Sequence, residues 1–253
     1  MNNTSPPSPS IPPQISASPI ASLLAPLGEE PGEREPITSP LGGVEAILRQ
    51  PRRVLFQLRL ARPGLLVSRM LLVAILCSLV YGIVVGTFSM GAQLWAAPIK
   101  IAAGLMISGL ICLPSLYIFA CLSGSQARLA ELCGMVAGLL MLMTLLLIGF
   151  APVAWLFSQS TQSVAWMGAL HLLFWLVSTF FGVRFLRNGF AHSQARSLAG
   201  LYVWISIFIL VVLQMSTALR PIVGTADTFL PVEKKFFVAH WGDCLKATPA
   251  TER

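Results

Sequence analysis

Between Glu45 and Asp227 the sequence holds one carboxylate, Glu131, and runs through five apolar segments at 66–88, 99–122, 132–157, 163–185 and 199–218. Each segment is near the ~20 residues needed to cross the hydrocarbon core of a bilayer. Inside lipid every backbone N–H and C=O must find its partner within the protein, which leaves helices as the form for such segments. The chain is 55% hydrophobic and 11% charged, whereas a soluble domain is roughly one quarter charged. The expected fold class is therefore all-α: a polytopic integral membrane bundle of five transmembrane helices. Segments three and four are separated only by "SQSTQS" (158–163), which reads as a tight turn between antiparallel helices.

The cations set the expected orientation. Arg49, Arg52, Arg53, Arg59, Arg62 and Arg69 precede or open the first segment, Arg128 lies in the second loop, and Arg184, Arg187 and Arg196 lie in the fourth. The first loop holds only Lys100, near its end, and the third holds no charge. Basic loops alternate with empty ones, and the positive-inside rule then predicts an N-terminus in the cytoplasm and a C-terminus outside. The same bias explains the net charge of +7, so nucleic-acid binding is not needed to account for it. The expected location is a bacterial cytoplasmic (inner) membrane, with the C-terminus periplasmic or extracellular.

Outside the apolar segments the composition changes three times. Residues 1–43 ("TSPPSPSIPPQ", "GEEPGEREP") are rich in Pro, Ser and acidic residues and too poor in bulky apolar groups to build a core, which predicts a disordered cytoplasmic arm. No basic n-region followed by an apolar h-region opens the sequence, so no cleavable signal peptide is expected. Residues 44–64 interleave Arg49, Arg52, Arg53, Arg59 and Arg62 with Ile47, Leu48, Val54, Leu55, Phe56 and Leu58. A basic amphipathic segment of this kind, interrupted at Pro51, is expected to lie along anionic lipid headgroups. Residues 65–218 form the transmembrane domain. Residues 219–253 form an outer tail whose Phe229, Phe236, Phe237 and Trp241 suit a membrane interface, with Arg220 placed to reach lipid phosphates or a helix C-terminal carbonyl.

Catalytic machinery is sparse. His171, His192 and His240 fall in three separate regions, and the five cysteines show no metal-ligand spacing, so neither a metal nor another cofactor is expected. Proton- or cation-driven transport normally uses membrane-embedded carboxylates, and the lone Glu131 sits at a segment end, where it suits the positive pole of a helix N-terminus. No Ser or Cys has a nearby His and carboxylate for hydrolysis. His171, in "GALHLLFWLV" (168–177), is the one ionisable group deep in the fourth segment. It is expected to be a neutral, hydrogen-bonded packing residue facing the bundle interior; a quinone site on it is the functional alternative. Packing signals are clearer: Gly82 and Gly86 form one GxxxG, and Gly134 and Gly138 another, which allow close helix approach. Pro114 and Pro152 should kink the second and third helices, Pro114 freeing the carbonyl of Leu110.

Five helices, an N-in, C-out layout and a long polar N-terminal segment make residues 44–220 resemble the Yip1 family of five-span membrane proteins, whose eukaryotic members act in membrane trafficking and shaping. Three phrases look closer to an uncharacterised family of bacterial polytopic membrane proteins: "CLPSLYIFACLSGSQARLAEL" (112–132), "LIGFAPVAWLFSQST" (147–161) and "STALRPIVG" (216–224). That resemblance implies that His171 is a recurring histidine and that "LRPxxG" and "KKFF" form a recurring exit pattern. It implies no catalytic or binding residues.

The function expected from these features is non-enzymatic: a scaffold, anchor or accessory subunit of a membrane-associated complex, with a protein partner or a second copy bound. The competing reading is a channel or transporter subunit for a neutral or lipid-like substrate. A polar stripe of Ser108, Ser115, Thr144, His171 and Ser178 on facing helices would favour it, and a sealed apolar interior would oppose it.

Overall fold

The computed structural model describes residues 27–28, 32–60, 63–89, 93–160, 164–193 and 195–218, and among these it is all-helical. Seven helices follow in order: α1 (Pro40–Arg49), α2 (Pro51–Leu58), α3 (Gly64–Ser89), α4 (Gln93–Leu122), α5 (Leu129–Ser160), α6 (Val164–His192) and α7 (Ala199–Ala218). Four of them, α3 to α6, are long and apolar enough to cross a membrane, consistent with a multi-pass membrane protein. The fifth apolar segment is the 20-residue α7, apolar through Ala199–Met215 and shorter than the others.

The two short helices owe their bounds to local chemistry. Ser39 caps α1, its hydroxyl accepting from Gly42 N at 3.0 Å, and Pro40 opens the helix where a missing N–H costs nothing. Pro51 then opens α2, so the two helices meet at the proline. The ordered segment thus starts before residue 44: α1 begins at Pro40, and Glu33 and Ile37 are already buried. Residues 1–26 and 29–31 of the expected disordered arm lie outside the described residues.

Helix α5 is the axis of the bundle, with two thirds of its most apolar window buried against one third to under one half for α3, α4 and α6. Helix α3 packs on both α4 and α5, α6 packs on α5, and α7 packs on α4; α6 and α7 make little backbone contact with each other. The glycines of the GxxxG pairs serve these internal contacts. A Cβ on Gly82 would overlap the Cα of Pro98, one on Gly138 would strike Phe185 of α6 and Met70 of α3, and one on Gly134 would strike Leu58 of α2. Gly86 is buried on the same helix as Gly82.

Helix α4 ends in a Schellman turn. Gly124 sits in the left-handed region (φ +70), Gly124 N donates to Cys121 O, and Ser125 N donates to Ala120 O, both at 3.0 Å. The loop that follows is tied to the loop after α6: Arg196 N donates to Ser123 O at 2.9 Å and Ser125 Oγ to Ser193 Oγ at 2.9 Å. The two loops expected to be basic are thereby joined at one end of the bundle.

Two expectations are corrected. Lys100 does not lie in a loop: α4 begins at Gln93 and runs on through Pro98, which carries Lys100 into the bundle, where it is 3% exposed. Gly82 lets α3 press directly on Pro98, whose missing N–H costs the helix one hydrogen bond. Nor does the fourth segment end at 185. Helix α6 continues to His192, so "RFLRNGFAH" is helix rather than loop, with Phe185, Leu186 and Phe190 buried against the core.

Candidate functional site: a bundle cavity and a folded cap

The deep histidine has a partner. His171 Nδ1 lies 2.7 Å from the Tyr81 hydroxyl, and the two rings meet edge to face with centroids 5.8 Å apart. Both residues are buried, beside an apolar cluster of Val85, Leu147, Ala151, Ala154 and Phe174, where Phe150 stacks on Phe174. Tyr81 is needed in this role because a buried imidazole without a partner would forfeit its hydration for nothing.

The pair lines a partly open cavity of about 80 Å³ together with Lys100, Ile101, Gly104 and Leu105 of α4, Leu147 of α5, Trp175 of α6, and Val212 and Leu213 of α7. All five long helices contribute to the wall. Within it, His171 Nε2 and Trp175 Nε1 have no hydrogen-bond partner, and neither do Ser178 Oγ, Thr179 Oγ1 and Gln214 Oε1 elsewhere in the core. The cavity does not continue as a polar path. Ser108 donates to Gly104 O (2.7 Å), Ser115 to Cys112 O (2.8 Å) and Thr144 to Leu140 and Met141 O (both 3.0 Å), each on its own helix. Towards the α1–α2 end the interior is filled by Leu116, Leu132, Leu139, Leu140, Met141, Met143 and Phe208. Of the five residues expected to form a stripe, only His171 lines the cavity.

Pro114 sits in an unbroken α4 on its outer face. Two residues earlier, Cys112 O accepts from both Ser115 Oγ and the fully buried Trp204 Nε1, the latter at 2.7 Å, which pins α7 to α4 at the proline. Pro152 is likewise exposed within α5. Arg220 and Arg62 lie outside the described residues.

The second polar assembly is a cap that residues 32–60 form across the ends of α3, α5 and α6. The Glu33 carboxylate accepts from Arg52 Nε at 2.7 Å and from Gly28 N, with side-chain exposures of only 5% and 13% for Glu33 and Arg52. Arg52 also reaches His192 Nε2 at 3.5 Å. His192 Nδ1 faces Asn188 O at 2.7 Å and must carry the proton there, so Nε2 is the lone-pair nitrogen that accepts from Arg52. Gln57 accepts from Ile37 N (3.0 Å) and donates to Glu35 O, while Arg69 donates to Ile37 O at 2.9 Å. Arg53 donates to Glu35 O (3.0 Å) and pairs with its carboxylate at 3.3 Å.

Arg59 donates to His192 O, and Arg128 spans Arg59 O (2.7 Å) and the Glu131 carboxylate (3.1 Å) in the first turn of α5. These contacts border a polar recess of about 200 Å³ lined by Arg59, Gln126, Ala127, Glu131, His192 and Ser193. Arg52, Arg53 and Arg59 therefore spend their donors on the protein, whereas Arg49, paired with Glu45 at 3.1 Å, is exposed. The outer face of α1 presents Leu41, Glu45, Leu48 and Arg49, all exposed.

Among the described residues no group of three His, Cys, Asp or Glu side chains could hold a metal, and Cys77, Cys112, Cys121 and Cys133 are free thiols. No family model, curated protein or solved structure matches the chain.

Proposed function

We propose that the chain is a non-enzymatic, five-span protein of a bacterial inner membrane that acts as a scaffold or accessory subunit, holding a protein partner against the cytoplasmic surface. The observation that carries this reading is the cap. Residues 32–60, held together by the Glu33–Arg52 pair, are bound to the ends of α6, α3 and α5 by hydrogen bonds from Arg59 to His192 O, from Arg69 to Ile37 O and from Arg128 to Arg59 O, while the opposite face of α1 is exposed. A segment that served only to tether the chain would not need such anchoring, because a flexible linker suffices. Leu41 and Leu48 flanked by Glu45 and Arg49 give a mixed apolar and charged face suited to a protein surface or to anionic headgroups.

The N-in, C-out orientation rests on the gathering of basic side chains at the cap end, where Arg128 reaches Arg59 O and Arg196 lies against Gly124 in the adjoining loop. Helix α7 is assigned as the fifth span because its ~30 Å length matches the hydrocarbon thickness. Its packing along the spanning helix α4 supports the same assignment. This layout is also the one implied by the Yip1-like resemblance.

Affinity purification of the full chain from native membranes in mild detergent tests the reading. A stoichiometric partner, or a defined homo-oligomer, is expected with the wild type and is lost on Leu41→Lys and Leu48→Lys together. Recovery of monomer alone from native membranes would overturn it.

A further inference from the structure

The polar recess at the cap end carries a charge that the scaffold reading does not use. Two of its lining residues are ionic, Arg59 at the end of α2 and Glu131 in the first turn of α5. The Glu131 carboxylate is matched by Arg128, whose Nε donates to it at 3.1 Å. Arg59 has no such match: its Nη2 donates to His192 O, an uncharged carbonyl, and among the described residues no carboxylate pairs with it. The arginines within α1 and α2 differ in this respect, since Arg49 has Glu45, Arg52 has Glu33 and Arg53 has Glu35. The bond to His192, itself a lining residue, holds the Arg59 guanidinium at the recess wall. Arg59 is half-buried rather than sealed, and one of five N–H groups is spent on that carbonyl. A fixed guanidinium fork with its charge uncompensated selects an oxyanion that accepts two parallel hydrogen bonds.

Size and surroundings narrow the ligand. About 200 Å³ is several times the ~30 Å³ share of one water, so a tetrahedral phosphate group fits. Leu60 and Leu129, next in the chain to Arg59 and Arg128, are 50% and 51% exposed. Arg128 Nη2 ties the two stretches together, reaching Arg59 O at 2.7 Å and Leu60 O at 3.4 Å. The recess thus has exposed leucines beside it and lies at the ends of helices long enough to cross a membrane, the level at which basic pockets meet lipid headgroups. Positive charge next to apolar surface matches a phosphate that carries acyl chains better than it matches phosphate alone.

We propose that this recess binds the phosphate of an anionic phospholipid, held by Arg59 with Arg128 beside it and with the acyl chains running over Leu60 and Leu129. The inference rests on the reading that the helices span a membrane, and it holds whether or not α1 docks a protein partner.

Native mass spectrometry of the full chain, released from phosphatidylcholine nanodiscs doped with phosphatidylglycerol, tests the site. One phosphatidylglycerol per chain should be retained above the phosphatidylcholine background. Arg59→Met should weaken that retention by about tenfold, the value of one charge-assisted hydrogen bond. Arg49→Met removes the same charge from an exposed pair and should leave retention unchanged. Because Arg59→Met also gives up the bond to His192 O, Glu131→Gln provides a test in the opposite direction. Removing that like charge should tighten binding by about fivefold, a gain that a damaged fold would not give. Excess inorganic phosphate should not displace the lipid. The proposal is overturned if phosphatidylglycerol is retained no better than phosphatidylcholine, or if Arg59→Met leaves retention unchanged. An equal loss in Arg49→Met, or no gain in Glu131→Gln, overturns it as well. Displacement by inorganic phosphate would assign the recess to the free anion and overturn the lipid as its ligand.

Discussion

The Glu33–Arg52 clasp provides the sharpest test of the cap. In Arg52→Met the aliphatic stem is largely kept and the guanidinium is lost, leaving a carboxylate whose side chain is 5% exposed and which accepts from Gly28 N. Removing one member of a buried ion pair costs about 3–5 kcal/mol, because the surviving charge stays desolvated. At ~1.4 kcal/mol per tenfold change in an equilibrium constant, that corresponds to a rise of roughly 10²–10³ in the open population of the cap. Hydrogen exchange of the intact protein in nanodiscs reads this directly. Amides of α1 and α2 should lose two to three decades of protection in Arg52→Met, while those of α5 keep theirs, since local opening can occur without the bundle unfolding. Arg49→Met, at an exposed pair, should leave exchange nearly unchanged. Replacing both clasp residues, Glu33→Leu with Arg52→Met, should restore much of the lost protection by removing the stranded charge. Unchanged α1 exchange in Arg52→Met, or an equal loss in α5, would refute the reasoning.

Other consequences follow from particular contacts. Gly82→Val should separate α3 from α4, since its Cβ would meet the Pro98 backbone; thermal unfolding in detergent should fall by at least about 2 kcal/mol, whereas Gly149→Ala, with open space around it, should be silent. Trp204→Phe keeps most of the buried ring but loses the bond to Cys112 O and should cost about 1 kcal/mol, against roughly 3–5 kcal/mol for Trp204→Ala, both read by the same melt. Tyr81→Phe should lower stability by about 1 kcal/mol and shift the imidazole nitrogen resonances of His171, which stay unchanged if the 2.7 Å contact is absent in solution.

The helices were legible because lipid-facing and core-facing residues are both apolar, so each span reads as one continuous run. The same uniformity hid the details. Lys100 reads as the one charge near the end of the first loop; nothing local announces that Gly82, on another helix, lies against Pro98 within a continuous α4. His171 could be recognised as a residue needing a partner, yet no spacing links positions 81 and 171. The signal available was that Tyr81 is the one tyrosine in α3, with a hydroxyl to satisfy. The hydroxyls of Ser108, Ser115 and Thr144 suggested a stripe, but each can return to a carbonyl three or four residues back, which is the cheaper solution in a helix. The amphipathic character of residues 44–64 was plain from its pattern, and so was the break at Pro51. What the pattern could not reveal was which way the arginines turn, because a guanidinium satisfies lipid phosphate and a backbone carbonyl equally well.

The scaffold role is tested most directly by photo-crosslinking in native membranes from a benzoyl-phenylalanine at Leu48 on the free face of α1, with Leu176 on the exposed face of α6 as the reference. The account predicts a discrete protein adduct from position 48, to a partner or a second copy, and lipid adducts alone from position 176. Lipid adducts alone from both positions, in a chain whose cap remains protected from exchange, would contradict it.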